Sequence, residues 1–247
     1  MEALVLSGIT SKQVTRGSNI RESQEEDDQA RMVCLMVIDD LVANFDDNEE
    51  DILDPRLLID SIFETLQLAT EDLFEQCALT LTKINSTPHV NGEEGENLVV
   101  EKCLEPGSTF SGNLAESLMG LLNGNAYPNC EEEVTTATLK LWKCLFQDPT
   151  SSACVYLNDI NVLIEVCVRE LVNTPEDEGV EVRPFYVDVL HLIMLNTEWG
   201  LKGSYKKGEI CRVMNSFMGM GEGVVGKECV AAVEDLMLDV GEMLKDN

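Results

Sequence analysis

The sequence predicts an all-α protein, built as an armadillo/HEAT-like superhelix of antiparallel helix pairs. Three observations carry that expectation. Apolar residues recur at the spacing of one helical face in segment after segment, and no alternating strand of useful length is present. Only 5% of the residues are aromatic while Leu, Val and Met are plentiful, which suits helix-on-helix packing. Helix pairs start near residues 31, 71, 114, 158 and 208, a recurrence of roughly 40–50 residues that matches the period of helical-repeat units. The repeat is one of length and not of letters, so a compact irregular bundle is the alternative.

Residues 1–28, ending near the charge run "RESQEEDDQA", read as a flexible acidic leader, and 29–247 as a single helical domain. In "RMVCLMVIDDLVANF", Leu35, Ile38, Val42 and Phe45 share a face. The next helix opens with Asp54 as a cap and Pro55 in the first turn, where its missing N–H costs nothing. Leu58, Ile62, Leu66 and Ala69 form its stripe, and Thr70 caps another helix at once, with Phe74, Cys77 and Leu81 buried. Two helices joined by almost no loop fold against each other as a hairpin.

"STPHVNGEEGEN" is an acidic, Gly-rich loop, followed by short helices near 97–104 and at "LAESLMGLL". "CEEEVTTATLKLWKCLFQDP" buries Val134, Thr138, Leu141 and Leu145 and stops at Asp148-Pro149. In "LNDINVLIEVCVRELVNTP", capped by Asn158 or Asp159, the wide apolar face from Ile160 to Leu171 marks a central helix. "EVRPFYVDVLHLIMLN" tolerates Pro184 near its start. After "TEWGLKGSYKKG" come a short helix in "EICRVMNSFM" and a last one with Val230, Val233, Met237, Val240 and Leu244 on one stripe.

The formal net charge is −29. Such a surface repels phosphate backbones and anionic lipid, which disfavours nucleic acid and favours a basic protein partner. The same charge also keeps a protein soluble, and the two readings carry equal weight. Nine cysteines with no C-x-x-C spacing fall mostly on apolar faces, as reduced thiols in a cytosolic protein do. The two histidines, His89 and His191, have no second ligand at helical spacing, so no metal site is expected. The N-terminal "MEALVLSGIT" lacks the basic start of a signal peptide, and the longest apolar runs are too short for membrane insertion.

One stretch imitates a nucleotide site. In "GMGEGVVGKE", Gly221, Gly223 and Gly226 spell G-x-G-x-x-G, and with Lys227 most of G-x-x-x-x-G-K. A phosphate loop needs a buried strand before it, and the preceding segment is helical. The residue after the lysine is Glu228, which repels the phosphate it should help to hold. The expectation is a helix–helix turn in which glycine supplies unusual backbone angles, with no cofactor.

No catalytic constellation emerges either. There is no G-x-S-x-G elbow or suggested Cys–His pair, and His191 in "VLHLIML" reads as a packed, hydrogen-bonded histidine. The chain is therefore read as a non-enzyme. Three places look like recognition. The loop "TEWGLKGSYKKG" sets Trp199, Leu201 and Tyr205 beside Lys202, Lys206 and Lys207, the composition of an interface anchor. Trp199 and Tyr205 folding back onto the helices is the other, slightly favoured reading. Arg169 and Glu170, with Arg183, either meet a partner or pair between adjacent helices. Asn158-Asp159 is either a contact or a cap.

"VYLNDINVLIEVCVRELVNTPEDE" resembles the leucine-rich domain of the WISH/DIP/SPIN family, which comprises an animal Nck-interacting protein with a Src-homology domain and the shorter yeast Dip and Ldb proteins. Tyr156, Asn158, Asp159, Leu163, Arg169, Glu170, Leu171 and Pro175 carry the resemblance. Arg183, Tyr186, Leu190 and Thr197 extend it downstream, and the best match spans residues 130–218. "EWGLKGS" is longer and more aromatic than the family pattern. The resemblance implies an armadillo-like domain that binds the actin-related protein 2/3 complex and activates it without a preformed filament. Linear filaments would be seeded, with actin filament ends reached through that complex, in the cytoplasm at cortical or endocytic actin patches. The contact residues it suggests are Tyr156, Asn158, Asp159, Arg169, Glu170, Arg183 and Tyr186, joined by Trp199, Tyr205 and Lys206 of the loop. The alternative is a generic helical-repeat scaffold for another basic protein.

If "GMGEGVVGKE" is only a turn, millimolar ATP leaves the melting temperature unchanged, and so does ATP with the Lys227→Ala variant. Micromolar binding at that level would add about 4 kcal/mol, so a clear shift in a thermal melt contradicts the reading.

Overall fold

The computed structural model describes residues 28–36 and 38, 54–68, 71–87, 97–105, 113–123, 132–174, 179–202 and 205–244, without the side chains of 68, 71, 72, 201 and 202. Residues 1–27 of the acidic leader, Val42, Phe45, the Ala69 and Thr70 junction, Pro175 and most of the 86–97 loop lie outside the described residues, and residue 28, expected in the leader, begins the first helix.

Among the described residues every regular element is a helix and there is no strand. Helix α1 occupies 28–36 and buries Leu35. It is followed by α2 (Pro55–Leu68), α3 (Glu71–Ser86), α4 (Leu98–Leu104), α5 (Ala115–Asn123) and α6 (Glu132–Phe146). Next come α7 (Pro149–Ser152), α8 (Leu157–Asn173), α9 (Arg183–Asn196) and α10 (Glu198–Lys202). The chain closes with α11 (Lys207–Met220), α12 (Glu222–Val225) and α13 (Lys227–Leu244).

Local chemistry explains most of the boundaries. Asp54 Oδ1 accepts from the Arg56 amide at 2.9 Å, one turn before α2 is fully wound, and Pro55 stands at its first position. Asn97 caps α4 by accepting from the amides of Val99 and Val100, both at 3.1 Å, while its own amide donates to Asn85 Oδ1 at the end of α3. Asp148, expected only to stop α6, also caps α7 through the Thr150 amide. At α8 the expectation is corrected. Tyr156 holds the cap position with no side-chain hydrogen bond, and Asn158 and Asp159 lie inside the first turn. There the Asp159 carboxylate faces the positive end of the helix dipole.

The glycine turn has the anticipated form. Gly221 (φ 73°) and Gly226 (φ 89°) take positive φ angles at the two ends of the one-turn helix α12, which links α11 to α13. Helices α7, α10 and α12 were not expected, because one turn is too short to show a period.

The apolar stripes meet in two layers. Helices α3, α6, α9 and α13 form an inner row in which each packs on the next. An outer row of α2, α5, α8 and α11 pairs with them as α2/α3, α5/α6, α8/α9 and α11/α13. The pair expected to start near 71 is thus shifted: α3 closes the pair that α2 opens, and the units starting near 114, 158 and 208 stand. The core runs continuously through both rows and includes Leu81, Trp142, Leu163, Ile164, Leu190 and Val233, all essentially without solvent contact. Trp142 stacks on Phe146 with ring centroids 5.5 Å apart.

Neighbouring inner helices run in the same direction. Lys140 Nζ lies 5.5 Å over the Phe185 ring, Lys143 Nζ is 2.6 Å from Asp188 Oδ2, and Asn196 Nδ2 donates to Phe146 O at 2.8 Å. Along both α6 and α9 these contacts advance together. The chain separations of such ties, 45 for Lys143–Asp188, 46 for Arg169–Asn123, 48 for His191–Asp239 and 50 for Asn196–Phe146, recover in space the period of length read from the sequence.

Asn196 also donates to Gln147 O at 3.2 Å, so one amide satisfies two carbonyls at the open end of α6. Asn196→Ala therefore lowers the urea midpoint by an amount equivalent to about 1–3 kcal/mol, with the slope unchanged. An unmoved midpoint would show that this cap between units carries no stability.

Candidate partner-binding face

Helix α8 sits in the middle of the outer row, between α5 and α11. Its wide apolar face, Ile160, Leu163, Ile164, Cys167, Val168 and Leu171, is buried as its spacing required. The opposite stripe, Asn158, Val162, Glu165, Arg169 and Val172, faces solvent at steps of three and four residues. Tyr156, just before the helix, is 61% exposed and Val172, near its end, 62%.

Two neighbouring elements fix the charges on this stripe. Arg169 Nη2 donates to Asn123 Oδ1 of α5 at 2.9 Å, and its Nε donates to Glu170 Oε1 at 2.8 Å. From the other side, Tyr205 donates its hydroxyl to Glu165 Oε2 at 3.0 Å, and Lys206 Nζ lies 3.5 Å from Glu165 Oε1 and 3.2 Å from Glu209 Oε2. The Tyr205 bond, with Lys206 behind it, holds the Glu165 carboxyl below its ordinary pKa. The same bond raises the Tyr205 hydroxyl, and the Glu209 partner raises Lys206. These are exposed interactions, screened by solvent, and they add little to stability. Their effect is to hold long side chains in one place before any partner arrives.

The loop that delivers Tyr205 and Lys206 is anchored from inside. Trp199 is only 3% exposed, and its indole N–H donates to Tyr205 O at 3.3 Å. Its backbone amide donates to the Thr197 hydroxyl at 3.1 Å. The backbone at Gly200 passes so close to α9 that an added Cβ would stand 2.1 Å from Met194 O. Lys206 itself is held at φ 53°, a left-handed conformation unusual for a side chain of its size.

The structure thus brings Arg169, Glu170, Tyr205 and Lys206 to one face, with Tyr156, Asn158 and Asp159 at one end of it. It separates the other three residues expected there. Trp199 folds back, as one of the two readings anticipated. Tyr186 is buried on α9 at 6% exposure. Arg183 is 3% exposed and donates from Nη2 to Thr174 O at 3.2 Å. Thr174 is the C-terminal cap of α8, so this guanidinium sits at the negative end of that helix and joins α8 to α9. Arg183, Tyr186 and Trp199 therefore act on the face from within, by holding the elements that carry it.

Glu165, Asn123, Val162 and Val172 belong to the face and were not singled out. Glu165 and Arg169 stand four apart, so the exposed stripe was readable from the helical period; Asn123 left no local signal. Elsewhere, His191 is mostly buried and lies 3.1 Å from Asp239 Oδ2. Among the described residues no three His, Cys, Asp or Glu are grouped so as to hold a metal ion. No described helix is long and apolar enough to cross a membrane.

Comparison with known proteins adds two findings. Residues 59–210, well over half of the chain, match the family described as SPIN90/Ldb17, leucine-rich domain. The match reaches back to α2, upstream of the motif-bearing stretch, and ends in the first turn of α11. Protein dip1 of Schizosaccharomyces pombe is 29% identical over 153 residues, which is 60% of this chain and 39% of that protein. The similarity thus spans about two fifths of the relative's length.

Folding lowers the Glu165 pKa, so the tie to Tyr205 is complete above the ordinary carboxyl value and is lost as pH falls through the folded value. Tyr205→Phe should raise the Glu165 pKa towards its ordinary value in a carboxyl titration followed by carbon NMR. An unchanged titration would mean that the hydroxyl does not hold this carboxylate in solution.

Proposed function

The chain belongs to the SPIN90/Ldb17 leucine-rich domain family, and from that premise we propose that it binds the actin-related protein 2/3 complex and activates it without a preformed filament, seeding linear actin filaments. The observation that carries this reading is the family match across α2 to α11, which takes in both layers of the fold and the whole of α8. The action is binding alone. A protein that holds the active arrangement of the complex more tightly than the inactive one shifts the population towards it and needs no catalytic group or nucleotide of its own. The site of action is the cytoplasmic actin cytoskeleton, at cortical or endocytic patches.

The outward face of α8 supplies the contact. Tyr156, Val162 and Val172 give exposed apolar and aromatic surface, and Arg169 gives a cation already fixed by Asn123 and Glu170. Tyrosine and arginine are common anchors of protein interfaces, and prior fixation reduces the entropy lost on binding. A net charge of −29 steers the chain towards a basic surface of the complex, so added salt slows association.

The test is assembly of fluorescently labelled actin with and without the purified complex. The protein shortens the lag only when the complex is present, needs no seed filaments, and gives linear filaments under the microscope. Arg169→Glu reduces the activation about tenfold or more while the helical spectrum and melting temperature are kept, the loss expected for an interface arginine. Arg183→Glu loses activation and fold together, because the residue is buried at the end of α8. Undiminished activation by the Arg169 variant would remove the contact from α8. No effect of the parent protein on assembly would remove the proposed activity and leave a helical-repeat scaffold for another basic protein.

A further inference from the structure

One residue breaks the local rules of its own element. Among the described residues Lys206 is the only non-glycine with a positive φ, at φ 53° and ψ 17°. It stands at the N-cap of α11, where Ser, Thr, Asp or Asn in an extended conformation is preferred, and its side chain makes no capping hydrogen bond. Its cation and that of Lys207 belong to the positive end of the helix dipole, the end that favours acids. Left-handed backbone disfavours any side chain, because Cβ crowds the following carbonyl. The sequence places glycine at 203 and 208, on either side, and not at this position.

The conformation is imposed from both sides. The carbonyl before it, Tyr205 O, accepts from the buried Trp199 indole at 3.3 Å. Its own carbonyl accepts from the amides of Glu209 and Ile210, both at 2.9 Å, in the first turn of α11. The side chain reaches from α11 to α8, with Nζ 3.5 Å from Glu165 Oε1 and 3.2 Å from Glu209 Oε2. Tyr205 donates to the other oxygen of the same Glu165 carboxylate at 3.0 Å. Glycine would relieve the backbone and bring nothing to Glu165. Asparagine tolerates the left-handed region, but its side chain stops well short of the position that the ammonium holds. Strain kept at one defined place by its surroundings points to a function for that place.

We propose that Lys206 is a positioning residue of the α8 face, kept left-handed against the stability of the fold so that its ammonium group and the Tyr205 hydroxyl together fix the Glu165 carboxylate. With a different group at each oxygen, the carboxylate cannot rotate as it could about a single contact. The bearing on binding rests on the function proposed above, in which side chains already placed lose less entropy when the complex docks. Fold stability and binding therefore pull in opposite directions at this residue.

Three measurements on the full chain and its Lys206→Gly variant test it: urea unfolding, a carboxyl titration followed by carbon NMR, and the actin assembly assay. Lys206→Gly raises the urea midpoint with the slope unchanged, because relief of the backbone and of the cation at the dipole outweighs the exposed ion pairs and the added freedom of the unfolded chain. The Glu165 titration moves up towards its ordinary value, by less than in Tyr205→Phe, since the Tyr205 bond is the larger cause of its lowering. The concentration of protein that half-maximally shortens the assembly lag rises about threefold or more. Lys206→Arg, which keeps both the side-chain reach and the cation, rescues the titration and the assembly activity and loses the gain in midpoint. A midpoint equal to or below the parent's would overturn the proposal, because the conformation would then cost the fold nothing. So would a raised midpoint with the Glu165 titration unmoved, or with full potency in assembly. A parent protein without effect on assembly removes the proposed activity by itself; the midpoint and the titration then still decide whether Lys206 gives up stability to place Glu165.

Discussion

Everything in this fold depends on the side-by-side packing of α3, α6, α9 and α13 in one direction. The two middle helices of the row, α6 and α9, must each bury two flanks, and they do so largely with leucine, valine and isoleucine at the interior positions. The ends of the row bring a cost, because carbonyls at each helix terminus lose water without gaining a helical partner. The structure meets it with side chains from other helices, from the next unit for α6 and from the same unit for α8. Asn196 of α9 closes the end of α6, and Arg183 at the start of α9 closes the end of α8. The stack is therefore held by side chains that tie helices together, within a unit at Arg183 and between units at Asn196, as well as by the apolar core.

That arrangement explains why the outer face of α8 is well defined. A helix in the middle of the outer row has neighbours on both sides, and each contributes a polar side chain to its exposed stripe. Asn123 orients Arg169 from α5, and Tyr205 orients Glu165 from the loop before α11. The loop can do this only because Trp199 is buried and Gly200 lets the backbone press against α9. A partner meeting this stripe finds its charged groups already placed.

Much of this was legible in the sequence. Helical period gave the buried faces of α2, α6, α8 and α13 almost residue for residue, because a two-layer helical fold makes strong demands on every third and fourth position. The turn at Gly221 and Gly226 was legible because the positive φ angles it needs favour glycine. What stayed hidden was whatever depends on distant neighbours. Arg183 looks like any surface arginine until α8 is seen to end beside it. Trp199 and Tyr205 stand in one loop with the same local character, yet one is core and the other reaches α8. The first turn of α8 misled for a similar reason: Asn158 and Asp159 have cap chemistry, but the cap falls at Tyr156, two or three residues earlier, and the helix starts at Leu157.

The central claim is that a membership shown by sequence acts through the exposed stripe of α8. Hydroxyl-radical footprinting of the protein, alone and with the actin-related complex, tests that claim most directly. The account predicts that Tyr156, Val162, Arg169, Val172 and Tyr205 lose reactivity on mixing, while Leu195 and Leu238 on the inner row do not. Loss of reactivity centred on the inner row, or none on α8 at saturating complex, would contradict it.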